Sequence, residues 1–207
     1  MDSAASKDHL NVVHWLHANR KEGCTTKAMD DAAQNGHLNI VKWLHENRSE
    51  GCTAAAMDEA AANGYLGVVK FLHKHRTEGC TKRALDLACE FGHLHVVKWL
   101  HMNRSEGEGC NAFCIYRAIR NRHFDVVLFL HFHCKEPFFL RHSITETLPL
   151  EMQQWLRTNY ADETSRWRFE VYKIELEDRT TQERRMHKPE HISPSYPYGP
   201  KYINKIA

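Results

Sequence analysis

The chain has 207 residues, of which 42% are hydrophobic and 26% charged, and 28 basic residues nearly balance 26 acidic ones. This composition is typical of a folded globular protein and argues against a wholly disordered chain. The formal charge of +2 gives no electrostatic reason to expect nucleic acid or an anionic membrane as a partner. Apolar runs such as Val126–Leu130 are too short to span a bilayer, and Met1–Leu16 lacks the pattern of a secretory signal. We therefore expect an intracellular protein, cytoplasmic or nuclear.

An internal repeat organises most of the chain. Gly23-Cys24-Thr25 recurs at 51–53 and 79–81, a step of 28 residues, and as Gly109-Cys110-Asn111 after a step of 30. A second recurring position is aromatic and consists of Trp15, Trp43, Phe71, Trp99 and Phe129. A short period sustained over several units is typical of a solenoid, in which stacked neighbours bury surface that one unit cannot bury alone.

The unit 23–50 predicts two helices. Thr25 or Thr26 can cap the first helix, and Gly36 can end it in a left-handed conformation. The second helix contains the apolar stretch 38–44. Small or apolar residues recur at helical spacing on the first helix and predict a face that permits close approach: Ala28, Met29, Ala32 and Ala33.

These motifs resemble those of ankyrin repeats. The family's pattern of a Gly-x-Thr start, a first helix with small residues and a Gly-His-Leu-x-Val-Val entry into the second helix is present as Gly79-Cys80-Thr81, Ala88-Cys89 and Gly92–Leu100. The resemblance implies an all-α, ankyrin-type helix-turn-helix solenoid. Two departures are the period of 28, against about 33 in the family, and the absence of its Thr-Pro-Leu-His signature. Since the missing residues fall between successive units, we expect reduced β-hairpin fingers.

The repeat predicts an array over 1–160 and a C-terminal extension over 161–207. Within the array we distinguish a partial repeat 1–22, repeats 23–50, 51–78, 79–108 and 109–136, and a degenerate capping unit 137–160. Residues 166–176 fit a strand or a helix equally, and the chain beyond about 179 is predicted to be a flexible, partly disordered tail. The start inside a first helix is compatible with an abbreviated cap or with a longer array.

Polar positions on the first helices are the candidates for partner binding. Ankyrin arrays usually bind partners on the concave surface lined by these helices, and the resemblance implies five candidate contacts: Asp31, Glu59, Glu90, Arg117 and Arg120. Asp2, Asp30, Asp58 and Asp86 recur so regularly that we interpret them as hydrogen-bonding between repeats. The recurring aromatic residues are predicted to be core.

The sequence gives little support for metal binding, disulfide bonds or catalysis. The sixteen histidines mostly recur once per repeat, so their spacing is too large for the first shell of one metal ion. Cys24, Cys52, Cys80 and Cys110 share one repeat position and are predicted to be reduced. There is no nucleophile elbow, phosphate-binding loop or His-Glu-x-x-His pair, so we predict no catalytic residue, cofactor or metal.

The sequence therefore predicts a non-enzymatic, monomeric scaffold or adaptor that binds a protein or peptide, with no nucleic acid or membrane partner. Two alternatives remain open at this stage. The chain could be a targeting module cut from a longer multidomain ankyrin protein, such as an enzyme or a ligase adaptor, or a histidine-rich metal-binding protein.

Overall fold

The computed structural model describes residues 1–103, 112–134 and 148–159. The described residues form helices and no strand. The helices are α1 (Asp2–Ser6), α2 (Leu10–Asn19), α3 (Thr26–Gln34), α4 (Leu38–Asn47), α5 (Ala54–Ala62), α6 (Leu66–His75), α7 (Lys82–Glu90), α8 (Leu94–Asn103), α9 (Ala112–Arg120), α10 (Phe124–His133) and α11 (Leu150–Asn159). This confirms the predicted helix-turn-helix architecture. The connections 20–25, 48–53 and 76–81 contain no strand, in agreement with reduced fingers.

The chain divides into two compact units, 1–139 and 140–207. The first unit contains α1–α10, which alternate between first helices and second helices of the repeat. The second contains α11, which begins at the residue where the sequence predicts the second helix of the capping unit 137–160. The predictions for 166–176 and for the tail beyond about 179 lie outside the described residues.

Threonine and glycine set the ends of the first helices, as predicted. The Thr25, Thr53 and Thr81 hydroxyls accept hydrogen bonds from the backbone N–H two residues on, at 3.2, 3.2 and 3.1 Å. At the other end, Gly36 and Gly64 have φ of +78°. A Cβ atom on Gly36 would lie 2.6 Å from the Tyr65 ring of the next repeat. Glycine therefore serves both the left-handed turn and the contact between repeats.

Small residues form the packed face between first helices. Ala28, Ala32 and Ala33 of α3 are buried, as are the equivalent alanines of α5. Second helices such as α4 bury two adjacent branched residues and the leucine three positions after them, here Ile40, Val41 and Leu44. The predicted small-residue face is therefore confirmed, and it lets neighbouring first helices approach closely.

The prediction that the recurring aromatic residues form core is wrong for most of them. Trp15 is 56% exposed, Trp43, Phe71 and Trp99 are half-buried, and among these five Phe129 is the buried one at 4%. The rings of the other four, Trp43, Phe71, Trp99 and Phe129, each contact a histidine of the preceding repeat. The helical period places this position beside the apolar stripe, so a large ring there reaches partly into solvent.

Candidate functional site

The surface lined by first helices is the inner, concave side of the array. Adjacent first helices pack more closely than adjacent second helices do, so the stack curves toward the first-helix side. We call the solvent-facing residues of α3, α5, α7 and α9, together with the residue that follows each helix, the inner surface. It carries all five residues that the sequence predicts as partner contacts.

The recurring aspartates link the repeats, which confirms their structural interpretation. The Thr53 backbone N–H and hydroxyl donate to the two carboxylate oxygens of Asp30 at 2.8 and 3.0 Å. Thr81 donates in the same way to Asp58 at 2.8 and 2.6 Å. Asp58 is buried, with 4% of its surface exposed, so these charge-assisted bonds have little competition from water. The last aspartate differs: Asp86 accepts from the Cys114 thiol at 3.1 Å.

Three of the predicted contact residues take part in ion pairs between repeats. The Glu59 carboxylate pairs with the Arg83 guanidinium at 3.4 Å, and Glu90 pairs with Arg117. The Arg117 guanidinium also lies 4.2 Å from the centre of the Phe113 ring. Because Arg83 is 69% exposed, the first pair contributes little to stability. These three side chains therefore take part in contacts between repeats and lie on the inner surface as well.

The other two predicted residues lie near opposite ends of the same surface. Asp31 is half-buried on α3, and its backbone carbonyl accepts from the Asn35 side chain at 2.8 Å. Arg120 is exposed at the last residue of α9. Of the five candidates, the structure brings Glu90 and Arg117 into direct contact and distributes the others over separate repeats.

The charge of the inner surface changes sign along the stack. α3 contains one lysine and two aspartates, and α5 contributes Glu59 and no basic residue, since its other acidic residue, Asp58, is buried. α7 has two basic and two acidic residues, whereas α9 has two arginines and no acidic residue. A partner that lies along this surface therefore meets negative charge first and positive charge last.

The sequence indicates that this surface begins acidic and ends basic and aromatic, with Leu87 and Tyr116 among its positions, but sequence reasoning missed Phe91 and Phe113. Phe91, which follows α7, is 52% exposed, and Leu87, Phe113 and Tyr116 are half-buried. The signal was available in the repeat, because Phe91 occupies the position of Asn35, Asn63 and Asn121. Phe91 therefore adds exposed apolar surface at a position where the other repeats have asparagine.

The histidines of the second helices pack against aromatic rings. His17, His45, His73 and His101 each lie edge-on to the aromatic residue of the next repeat, with ring centres 5.0–5.6 Å apart. Burial, and then the neighbouring His133, lower the pKa of His101. Among the residues that the structure describes, no group of three or more histidine, cysteine or acidic side chains is arranged to hold a metal ion.

The repeated cysteines occupy the connections between units. Cys24, Cys52 and Cys80 form no disulfide, in agreement with the prediction that they are reduced, and Cys110 lies outside the described residues. Cys134 is disulfide-bonded. Burial raises the pKa of Cys52 to about 11, which disfavours the reactive thiolate.

An arginine–glutamate pair accompanies each of the first two connecting cysteines. The Arg48 Nε–H donates to Glu50 at 3.1 Å, and Glu50 in turn accepts from the Cys24 backbone N–H at 3.4 Å. The hydrogen bond from Arg48 holds the pKa of Glu50 at about 2. Since this pKa is lowered, the pair stabilises the fold at neutral pH and loses that contribution as the pH falls from about 4.5 to 2.

Comparison with known proteins identifies the class of protein that these features define. The family model for ankyrin repeats in three copies matches residues 1–83 and 57–137, about two thirds of the chain. The chain therefore belongs to the ankyrin-repeat family, whose repeats generally mediate protein–protein interactions and are typically non-catalytic. No curated protein matches the chain. No helix among the described residues is long and apolar enough to span a membrane.

Proposed function

We propose that this protein is a non-enzymatic scaffold or adaptor that binds a protein or peptide partner on the inner surface. The observation that supports this proposal is the contrast within the first helices. Their buried positions repeat almost unchanged, as the Asp–Thr hydrogen bonds and the alanine face require. Their solvent-facing positions change charge and size from one repeat to the next, as a surface selective for one partner would.

The stack also suits binding physically. Hydrogen bonds from Thr53 and Thr81 to the preceding repeats hold neighbouring first helices in register. A surface that is already ordered loses less conformational entropy when a partner binds. We further propose that the chain acts as an intracellular monomer, cytoplasmic or nuclear, without a cofactor. Of the five candidate contacts, we test Asp31 and Arg120, because they lie on the first and the last of the helices that form the inner surface, α3 and α9.

Quantitative affinity capture with two matched variants tests the proposal. The inner variant carries Asp31→Lys and Arg120→Glu, and the outer control carries Lys42→Glu and Lys70→Glu on exposed positions of α4 and α6. Thermal unfolding first establishes that all three proteins are folded. We expect a protein that the parent and the outer control retain and the inner variant loses. Equal retention by both variants would contradict binding on the inner surface.

A further inference from the structure

One side of α2 is apolar and open to solvent. Val12 and Trp15 are 45% and 56% exposed, the adjoining Leu16 is half-buried, and His9 at the start of the helix is exposed. These residues are three or four positions apart and therefore share one side of the helix. Val13 is completely buried, so α2 is packed and its exposure is confined to this side. We call His9, Val12, Trp15 and Leu16 the end face.

The same positions are covered in the other second helices of the array. At the position of Val12, a branched residue has at most 2% of its surface exposed in four helices: Ile40, Val68, Val96 and Val126. At the position of Leu16, a leucine has at most 1% exposed: Leu44, Leu72, Leu100 and Leu130. The residue types that four repeats bury are therefore exposed on α2.

The preceding repeat covers the aromatic counterparts of Trp15. The ring of His17 lies edge-on to that of Trp43, with ring centres 5.1 Å apart. Three further contacts of this kind join successive repeats at 5.6, 5.0 and 5.6 Å: His45 with Phe71, His73 with Trp99, and His101 with Phe129. A repeat placed against α2 in the same register would bring a histidine of its second helix to the Trp15 ring.

The preceding repeat also supplies a polar contact at the other edge of this interface. The Nε2 atom of His37 lies 3.1 Å from the carbonyl oxygen of Ser6, which belongs to the preceding repeat. His9 corresponds to His37 in the repeat and is exposed. Since Ser6 is the last residue of α1, the group that suits His9 is a backbone carbonyl at the end of a first helix. The apolar, aromatic and polar residues of the end face thus all match one structural unit.

We propose that the end face binds an ankyrin-type repeat of a partner protein, whose second helix presents a histidine to Trp15 and whose first helix presents a terminal carbonyl to His9. This contact continues the interface that already joins successive repeats of the array. The exposed apolar residues favour such an occupant, because a repeat that caps a solenoid carries a polar outer side. The inference goes beyond the proposed function, since no end-face residue belongs to the inner surface.

A second copy of the chain fits less well through the same face. Two end faces placed against each other would present the same four side chains from both sides. The histidine that makes the edge-on contact, His17, already lies against Trp43 of its own chain. Neither copy would then supply the histidine that Trp15 lacks.

Fusion of one further repeat to the full chain tests whether the end face accepts this unit. A copy of residues 23–56 placed before Met1 keeps the period of 28, so its second-helix histidine should reach Trp15 as His45 reaches Phe71. Hydroxyl-radical footprinting with mass spectrometry gives the modification rate of Trp15. We expect this rate to fall to that of the half-buried Trp99, and the midpoint of thermal unfolding to rise by several degrees.

The control combines Val12→Lys with Trp15→Lys, both in the fusion and in the chain without it. Because the two positions are exposed, the changes should leave the midpoint of the unextended chain nearly unchanged. In the fusion they should abolish the gain from the added repeat. An unchanged Trp15 modification rate, or an equal gain in the control fusion, would overturn the proposal.

Photo-crosslinking tests the natural occupant. Benzoylphenylalanine is placed at Val12, the protein is irradiated in a cell extract, and mass spectrometry identifies the crosslinked peptide. We expect a peptide from a helix-turn-helix repeat of the ankyrin type in another protein. An adduct with a second copy of this chain, an adduct with a protein that lacks such repeats, or no adduct would overturn the proposal. Affinity capture on the inner surface is independent of each of these results.

Discussion

The first helices and the second helices of the array pack against their neighbours in different ways. In the inner layer, alanines allow the helix backbones to approach closely, and Asp–Thr hydrogen bonds connect successive repeats. In the outer layer the helices are further apart, and half-buried rings contact histidines of the preceding repeat. The spacing of the first helices is therefore set by how closely their backbones can approach. The spacing of the second helices is set by how well an aromatic ring and a histidine fill the space between them.

A paired exchange in the outer layer illustrates this difference. Where the aromatic residue is tryptophan, the residue four positions later is asparagine, and its side chain donates to the tryptophan carbonyl, as in Asn47 to Trp43 at 2.9 Å. Where the aromatic residue is phenylalanine, that residue is histidine, and its ring stacks on the phenylalanine at 4.6 Å for His75 and 4.2 Å for His133. A smaller ring is thus accompanied by a second ring.

Enlarging an inner alanine should have the largest effect. Ala60 of α5 is completely buried between first helices, so Ala60→Leu must push the neighbouring backbones apart. We expect a loss of about 3 kcal/mol in the free energy of unfolding, measured by urea denaturation. The control Ala55→Leu adds the same side chain at an exposed position of the same helix. Equal denaturation midpoints for the two variants would disprove the close packing of this layer.

Removing a buried aspartate should have the next largest effect. Asp58→Ala deprives the Thr81 N–H and hydroxyl of their acceptor, and we expect a loss of about 2 kcal/mol. Asp30 makes the same two bonds but is half-buried, so Asp30→Ala should cost about half as much because water can replace the carboxylate. Thermal unfolding of both variants measures the difference. A larger loss for Asp30→Ala would contradict the role assigned to burial.

Truncating the outer rings should cost less than a core truncation. A tryptophan in the core would make Trp43→Ala cost about 3–5 kcal/mol, but this ring is half-buried. We now expect about 1.5 kcal/mol for Trp43→Ala and less than about 0.5 kcal/mol for the more exposed Trp15→Ala. Chemical denaturation of the two variants tests the ranking. If Trp43→Ala lowered the free energy of unfolding as much as the buried Leu44→Ala does, Trp43 would be a core residue after all.

The paired exchange in the outer layer predicts coupling between two substitutions. Phe71→Trp places an indole against the His75 ring and should destabilise the fold, whereas adding His75→Asn reproduces the pair found at Trp43 and Asn47. We expect the double variant to recover about 1 kcal/mol relative to the sum of the single variants. A double-mutant cycle from urea denaturation gives this coupling energy. Strict additivity would mean that the pairing has no energetic basis.

The smallest expected effect is a decline in stability between pH 7 and pH 5. Burial is the main cause that lowers the pKa of His93, His101, His123 and His131 below 6.5 in the folded state. The unfolded chain therefore binds protons first, and the free energy of unfolding falls as the pH drops below about 6.5. His123→Gln should reduce this slope in thermal melts, and exposed His9→Gln is the control. A slope that His123→Gln leaves unchanged would contradict the assignment.

The repeat in the sequence was sufficient to predict the helices, the threonine caps, the left-handed glycines and hydrogen bonding between repeats by the recurring aspartates, whose threonine partners the structure added. Each of these depends on residues at fixed spacing, so one unit predicts the next. The exposure of Trp15 and Trp43 was not predictable in the same way, because periodicity places a residue on one side of a helix and does not say how far the neighbouring helix covers it. Conservation of an aromatic type along the repeat was therefore misread as burial.

For the candidate site, too, some features could be predicted from the sequence and others could not. All five candidate contacts follow from the comparison of repeats, and the structure adds that Glu59, Glu90 and Arg117 take part in ion pairs between repeats. The sequence shows Phe91 as a break in the repeat, but its exposed fraction required the structure, since it depends on how the end of α7 is positioned in the stack. Positions that break the repeat while leaving the fold intact are the most informative about function.

Site-specific photo-crosslinking would test the central claim most directly. A benzoylphenylalanine residue is placed at Phe91 on the inner surface and, separately, at the exposed Lys70 on α6, and each protein is irradiated in a cell extract. Binding on the inner surface predicts a covalent adduct with one defined partner from position 91 and none from position 70. An adduct from position 70 alone, or the same adducts from both positions, would contradict it.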